Sequence, residues 1–401
     1  MAQGAPPFTP YQRRLFLFLS VATFFEGFDY IALTQLLPSL RAGFGLDYAE
    51  GQWLVAFINV GAILSYVLIR RADLVGRRPI LSLTIAGYTA FSLISAFAFD
   101  AYSFGVAQLA ARTFLLAEYA VSMVVVVEEF PKERRAFAVG VIQTANSLGA
   151  IVCAGVVPML LKLPWGYRSV YVIGAAPLLL LALLRRGLRE TAHFQSISGR
   201  PRGDFFAVFR SEQGKRVPLL AAIWALTYVC TYVIVNNFKD YMLTERGYDD
   251  AAVGRSVTIA ALGAMPLLFG AGKLLDLVGR RRGAFVIFTV TSASAVLAFT
   301  AHDVVWLTLG LTGGIFGASA VLPVLNAITL ENFPTALRAD GLGWSSNVLG
   351  RVGYVIGPPL SAALAPTLGI GGGTAVLAVF PMLALALILL FVPETAGKDL
   401  S

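Results

Sequence analysis

Apolar residues run along this chain in long blocks, separated by short clusters of Arg, Gly, Pro and acidic residues. Twelve blocks stand out, near 15–40, 51–69, 79–98, 102–127, 136–161, 167–187, 218–242, 251–275, 283–301, 303–330, 339–364 and 370–392. Each is close to the ~20 residues an α-helix needs to cross a hydrocarbon core roughly 30 Å thick. Stretches of alternating apolar and polar residues, the mark of an outer-membrane barrel, are absent. The connections between most blocks are too short to be domains. The pattern predicts an all-α membrane protein with twelve transmembrane helices.

Composition agrees. Of 401 residues, 57% are hydrophobic and 13% charged, which is more apolar side chain than a water-exposed surface can cover. The net charge of +8 raises a nucleic-acid partner, but its distribution argues against one. Arg13, Arg14, Arg70, Arg71, Arg77, Arg78, Lys132, Arg134 and Arg135 gather in alternate loops. Arg185, Arg186, Arg189, Arg200, Arg202, Lys215, Arg216, Lys273 and Arg280 to Arg282 continue on the same side. The opposite loops carry few: Arg41, Lys162, Arg168, Lys239, Arg246 and Arg255. By the positive-inside rule, both termini and the 188–217 connector are expected on the cytoplasmic side of the cell (inner) membrane. No nucleic-acid partner and no obligate protein partner is implied. The apolar stretch after Arg14 lacks a small-residue cleavage site and reads as a first span that doubles as a signal anchor. Cys153 and Cys230 fall inside spans, and His193 and His302 sit at span ends without metal-ligand spacing. Packing and interfacial roles are expected for them, with neither a metal nor a cofactor.

The chain repeats itself. Asp-Leu-Val-Gly-Arg-Arg occurs at 73–78 and 276–281, a separation of 203 (276 − 73). Glu-x-Phe-Pro-x-x-x-Arg occurs at 128–135 and 331–338, again 203 apart (331 − 128). The halves close on Arg189-Glu190-Thr191-Ala192 and Pro393-Glu394-Thr395-Ala396. The expected organisation is an N-terminal bundle (1–187), a connector (188–217) and a C-terminal bundle (218–401). Asp73 and Asp276 lie where a carboxylate can face a helix N-terminus. Arg77, Arg280, Arg135 and Arg338 can fork onto Glu128 and Glu331. Such pairs would form a cytoplasmic gate, closing that side and breaking when it opens. On the alternative reading, the arginines only set orientation.

This doubled signature resembles the major facilitator superfamily over essentially the whole chain. There, Gly-x-x-x-Asp-x-x-Gly-Arg-Arg joins the second and third helices of each half. The second copy is complete from Gly272 through Asp276 and Gly279 to Arg281. The first has Ile69 in place of Gly, which is expected to weaken close helix approach and loosen the gate in that half. The resemblance implies two pseudo-symmetric six-helix bundles and transport by alternating access.

Chemistry is expected where the halves differ. Glu26, Asp29, Arg112, Glu118 and Arg351 lie within spans, where a charge costs about 2.5–3.5 kcal/mol on insertion scales. Their counterparts 203 residues away are Val229, Tyr232, Ile315, Val321 and Leu148, none charged. At ~1.5 Å per residue, Asp29 and Arg112 share a depth of roughly 21–24 Å from the cytoplasmic end, and Glu26 and Glu118 one of about 15–17 Å. Arg351 falls at about 18 Å, near the midplane where such transporters hold cargo. Its planar fork suits a carboxylate. Asp29, Glu26, Arg112 and Glu118 are candidates for proton coupling, since a carboxyl group without a full-time partner can carry a proton. The alternative is a permanent Asp29–Arg112 bridge between helices 1 and 4. Asn347, Tyr354, Tyr232, Tyr228, Asn236 and Asn146 are candidate substrate-binding residues, for each of which helix packing is the competing reading.

Phe25-Glu26-Gly27-Phe28-Asp29 resembles the Asp-Gly-Phe-Asp of aromatic acid:proton symporters, with Glu26 in place of the first Asp. The run from Phe333-Pro334-Thr335 through Arg338, Gly341-Leu342-Gly343-Trp344, Gly350-Arg351-x-Gly353 and Gly357-Pro358 is similar to the same branch and includes Arg351. Glu118, ten residues before Glu128, is similar in spacing to the metabolite:proton symporters. The resemblance implies proton-coupled uptake of a small organic acid, aromatic or otherwise. A proton-coupled exporter of drugs or metabolites is the alternative, as is a sugar or organic-cation porter. Exporters of this fold commonly have Gly-Pro in helix 5, and here Gly149, Gly155 and Pro158 lack that pair. An enzyme is not expected: His-Glu-x-x-His, paired membrane aspartates and a Ser–His dyad are all missing from the spans.

Overall fold

A computed structural model of the chain describes residues 8–184, 189–191, 194, 206–334 and 337–394, without the side chains of 132, 133, 136, 180–184, 269 and 271–276. The side chain of Asp276 and the residues Arg185, Arg186, His193, Arg200 and Arg202 therefore lie outside the described residues. What is described is helical. The first repeat forms α1 (Pro10–Phe44), α2 (Tyr48–Val75), α3 (Arg77–Ala96), α4 (Ala101–Glu129), α5 (Lys132–Leu160) and α6 (Tyr167–Leu184). The second opens with α7 (Val217–Thr244), α8 (Asp250–Val278), α9 (Arg280–Thr300) and α10 (Val304–Glu331). A short α11 (Arg338–Leu342) then passes through a π-helical segment, Gly343–Gly350, into α12 (Val352–Val376), and α13 (Val379–Phe391) follows.

Ten helical stretches among the described residues are long and apolar enough to cross a membrane. The other two expected spans are α6 and the second half of the Arg338–Phe391 stretch, which kinks at Gly369. Gly369 has φ +72°, a conformation glycine adopts without strain. The Glu245 carboxylate then accepts from the backbone N–H groups of Ile370 and Gly371, serving donors that the new helix start leaves open. Another start is set by Asp100, which caps α4 in a reciprocal box with Ser103. The Ser103 hydroxyl and backbone N–H hold the Asp100 carboxyl below its ordinary range.

The chain packs as two units: Met1–Ser39 with Leu64–Arg202, and Leu40–Ile63 with Gly203–Ser401. The hairpin joining α1 to α2 thus belongs to the second unit. Within the first, Leu15, Leu19, Leu81, Val125 and Ile142 form a core from α1, α3, α4 and α5. Alongside it α1 and α5 touch backbone to backbone, since a Cβ added at Gly27 would meet the Asn146 carbonyl and one at Gly149 the Phe24 carbonyl. In the second unit α7 is central. Leu220, Trp224 and Tyr228 pack with Phe288, Val321, Leu325 and Ile388, and Trp224 Nε1 donates to the Thr329 hydroxyl at 3.0 Å.

The α1–α5 contact yields a prediction. Gly149→Ala drives a methyl into backbone, an overpacking that costs about 1–3 kcal/mol. It is expected to lower the unfolding midpoint of the detergent-purified protein. Gly140→Ala, on the same helix with nothing within 4 Å of the new Cβ, is expected to leave it in place. Equal midpoints for the two variants would show that α1 and α5 part readily.

Candidate functional site

The repeated loops build the same polar knot twice. In the first, Arg77 Nε and Nη2 donate to Glu128 Oε1 at 3.2 and 2.9 Å, and Nη1 donates to the Ala72 carbonyl at 3.1 Å. In the second, Arg280 Nε and Nη2 donate to Glu331 Oε1 at 3.1 and 3.0 Å. Asp73 also pairs with Arg77 at 3.1 Å, but it lies inside α2 and is exposed. The carboxylate facing the helix N-terminus is instead Glu190, which accepts from the Arg77 and Arg78 backbone N–H groups at 2.9 and 3.2 Å. Glu394 does the same for Arg280 and Arg281 at 3.1 and 3.0 Å. Gly76 and Gly279, at φ +119° and +87°, turn the chain into α3 and α9, and a Cβ at either would press on these carboxylates.

Two expectations are corrected here. Arg135 and Arg338 do not fork onto Glu128 and Glu331; Arg135 reaches the Phe130 carbonyl at 3.5 Å and Arg338 the Phe333 carbonyl at 3.2 Å. Both lie five residues back, where the preceding helix ends and leaves carbonyls open. Ile69 does not loosen the first knot. Its Arg and Glu side chains are 7% and 8% exposed, against 23% and 11% in the second. Thr191 adds a hydrogen bond to Glu128 Oε2 at 2.6 Å, and the Arg77 guanidinium stacks 5.0 Å above the Phe194 ring.

In the first unit, Asp29 on α1 and Arg112 on α4 are neighbours, and the hydroxyls of Tyr88 and Ser92 on α3 turn toward the Asp29 carboxylate. Arg112 lies 4.8 Å above the Tyr30 ring. Glu26 is buried one turn away, its charge close to Tyr88 and Tyr119. Glu118 faces elsewhere: Thr84 on α3 and Ser122 on its own helix donate to it. Asn146 donates to the Thr23 carbonyl at 3.3 Å, so that amide fastens α5 to α1.

In the second unit, Arg351 stands where the π-helical segment gives way to α12. Such segments are rare and concentrate at functional sites. Its Nη1 donates to the Ala62 carbonyl at 2.7 Å. Its charge acts on the Tyr228 hydroxyl, which also hydrogen-bonds with Ser346 and Tyr354. The Tyr354 ring lies 4.3 Å from that of Tyr228 and 5.1 Å from that of Tyr232. Asn347 sits in the π-helical segment one turn before Arg351, and Asn236 two turns beyond Tyr228 on α7, buried. A guanidinium thus acts on a hydroxyl that belongs to a cluster of aromatic rings, an arrangement that can take an anion bearing a flat apolar body.

Comparison with known proteins agrees with the doubled knots. The family model described as Major Facilitator Superfamily matches residues 19–251 and 220–401. The chain belongs to that superfamily. The sialic acid transporter NanX of Escherichia coli (strain K12) is 24% identical over 374 residues, covering 90% of this chain and 89% of its own length. A gallate transporter of Pseudomonas putida is 24% identical over 402 residues, covering 91% and 88%. Among solved structures, a D-xylose-proton symporter superposes with TM-score 0.77 at 18% identity, covering 97% of this chain and 99% of that one. This major facilitator protein is a multi-pass membrane transporter and not an enzyme.

Sequence reading overlooked several polar residues of this major facilitator chain. Lys239, read as a loop cation, lies inside α7, buried, with Nζ 2.6 Å from Asp250. Its neighbour Asp240 is buried against Arg41 at 2.7 Å. The run Asn236-Asn237-Phe238-Lys239-Asp240 within an apolar block was the available signal. Glu190 and Glu394 were visible as a third repeat, without a role.

The first knot carries the prediction here. Breaking a buried ion pair from one side costs about 3–5 kcal/mol, whereas replacing both partners by apolar residues is often neutral. Arg77→Met is expected to lower the unfolding midpoint sharply, and Arg77→Met with Glu128→Leu to recover most of the loss. A double variant no better than the single one would show that Arg77 acts through Ala72 or Phe194 rather than Glu128.

Proposed function

We propose that this transporter takes up a small organic acid together with protons, with the substrate carboxylate received by Arg351. The observation that carries the proposal is that the Arg351 charge acts on Tyr228, whose ring packs on Tyr354 and, through it, joins Tyr232, in helices that otherwise hold few charges. An Arg fork matches a carboxylate with two parallel bonds, and a cluster of tyrosine rings nearby suits an aromatic or otherwise flat substrate. The relatives named for gallate and for sialic acid, both acids, support the same class. Asn347 and Asn236 would complete the lining.

The proton is assigned to Asp29, with Arg112 as its switchable partner and Glu26 as the neighbouring acid. A buried carboxyl takes up a proton when its counter-ion withdraws, and alternating access supplies that withdrawal once per cycle. Glu118, engaged by Thr84 and Ser122, is the weaker candidate. The Arg77–Glu128 and Arg280–Glu331 knots serve as the cytoplasmic gate together with Asp73, and the repeat assigns Asp276 to the same role. Arg135 and Arg338 brace the helix ends next to it. Both termini lie in the cytoplasm.

Two measurements test this reading. Arg351→Lys keeps the charge and loses the fork, so carboxylate binding is expected to weaken by about 1–3 kcal/mol, the worth of a charge-assisted hydrogen bond. Unchanged affinity for every bound acid in a correctly folded variant would remove Arg351 from the site. Asp29→Asn is expected to abolish accumulation driven by a proton gradient in proteoliposomes while substrate counterflow continues. If Asp29→Asn still accumulates substrate, Asp29 is structural and the proton passes to Glu26.

A further inference from the structure

A chain of buried amides in the second unit holds Asn236, one of the lining residues proposed above, and extends away from Arg351. Gln52 on α2, Asn236 and Asn237 on α7, and Ser361 and Thr374 on α12 are all buried. Asn237 Nδ2 donates to the Ser361 hydroxyl at 2.7 Å and to the Thr374 hydroxyl at 3.0 Å. Its Oδ1 accepts from Gln52 Nε2 at 3.1 Å and from Asn236 Nδ2 at 3.0 Å. Asn236 Nδ2 also donates to Gln52 Oε1 at 3.1 Å. Both amide hydrogens of Asn236 are therefore engaged, which sets the way the group faces.

Its carbonyl oxygen is left buried, 1% exposed as a residue, with no hydrogen-bond partner among the described residues. One turn earlier, the buried Tyr232 hydroxyl is in the same condition. Residues four apart share a helix face, so Tyr228, Tyr232 and Asn236 follow one another along α7. The Tyr228 and Tyr232 rings rest against Tyr354, so this face is the one that meets Arg351. By helix rise, Asn236 lies about 6 Å beyond Tyr232 and about 12 Å beyond Tyr228. That span is the length of one ring with its substituents.

We infer that Asn236 is a specificity-determining residue whose carbonyl, held in place by Gln52 and Asn237, accepts a hydrogen bond from a hydroxyl or amine at the end of the substrate remote from its carboxylate. The inference rests on the assignment of the carboxylate to Arg351. A site built to hydrogen-bond a donor discriminates against the analogue without it, because the protein's own acceptor is then left unpaired in apolar surroundings. Gln52 and Asn237 are positioning residues: they act on the substrate only through the orientation of the Asn236 amide.

The test uses the full-length protein in detergent and in proteoliposomes, with benzoate and 4-hydroxybenzoate, and 3-phenylpropionate and 3-(3-hydroxyphenyl)propionate, as matched probes. The parent is expected to bind the hydroxylated member of at least one pair roughly tenfold more tightly, the worth of one hydrogen bond. Asn236→Leu is expected to bring that ratio to within about twofold, and Gln52→Leu to lower it in a variant that still folds and binds, since the amide is then free to turn. An equal ratio in the parent, or a ratio unmoved by Asn236→Leu, overturns the inference. So does a preference for the matching methoxy acids, which would mean that the amide chain runs the other way and presents N–H. Arg351→Ala separates the two readings: if it abolishes binding of all four acids while the Asn236→Leu ratio is unmoved, only this inference falls. If the parent binds none of them, both fall.

Discussion

Hydrocarbon cannot solvate a charge, so each ion buried in these helices must be matched by another part of the protein. That constraint organises the molecule more than hydrophobic burial does, because lipid tails are as apolar as the helix surfaces they touch. The Arg77–Glu128 and Arg280–Glu331 pairs satisfy it at the helix ends. Asp240 satisfies it with Arg41, while Asp29 has Arg112 and the hydroxyls of Tyr88 and Ser92 beside it. Wherever two helices share such a pair, their relative rotation is largely fixed. Where no such pair is shared, small residues decide how closely two helices approach, as Gly27 and Gly149 do for α1 and α5.

A duplicated chain makes the division of labour visible. The knots of the two halves agree down to which backbone N–H groups their capping carboxylates receive. They are scaffold, and the same scaffold serves both units. The charges that do not repeat lie in helix interiors, Asp29 and Arg112 in one unit and Arg351 in the other. Reuse of a fold across many cargoes needs this separation: ion pairs at the ends hold helix packing while residues in the middle vary. The π-helical segment belongs to the second category. It interrupts the regular ladder immediately before Arg351, at the point where the proposed substrate contact is made.

Spans, loop positions, the repeat and its separation were all readable from the chain, because length, hydropathy and register are properties of consecutive residues. The pairing of Arg77 with Glu128 and of Arg280 with Glu331 was readable too, since two copies in one register left few other acids to choose from. Arg351 and Asp29 stood out as charges without a counterpart in the other half. Lateral partners were another matter. Asp73 looked like the cap of α3, but an earlier end to α2 would have been needed for that, and the helix runs on to Val75. The cap comes from Glu190, 113 residues beyond the N–H of Arg77 that it receives, a separation that no local pattern encodes.

The same reason explains the other differences. Matching depths suggested that Glu118 would join Glu26, yet depth fixes a residue's height along the bundle and not its direction around the helix. Packing turned Glu118 toward Thr84 and Ser122, just as it turned Asn146 onto α1 and drew Gln52 to Asn236 and Asn237. By itself the sequence determined which apolar blocks become spans, that the halves are copies, and which charges are unrepeated. The tertiary structure alone decided which helix faces meet, because rotation about each axis is set by side-chain contacts between segments distant in the chain, and those contacts choose the partner of every buried polar group.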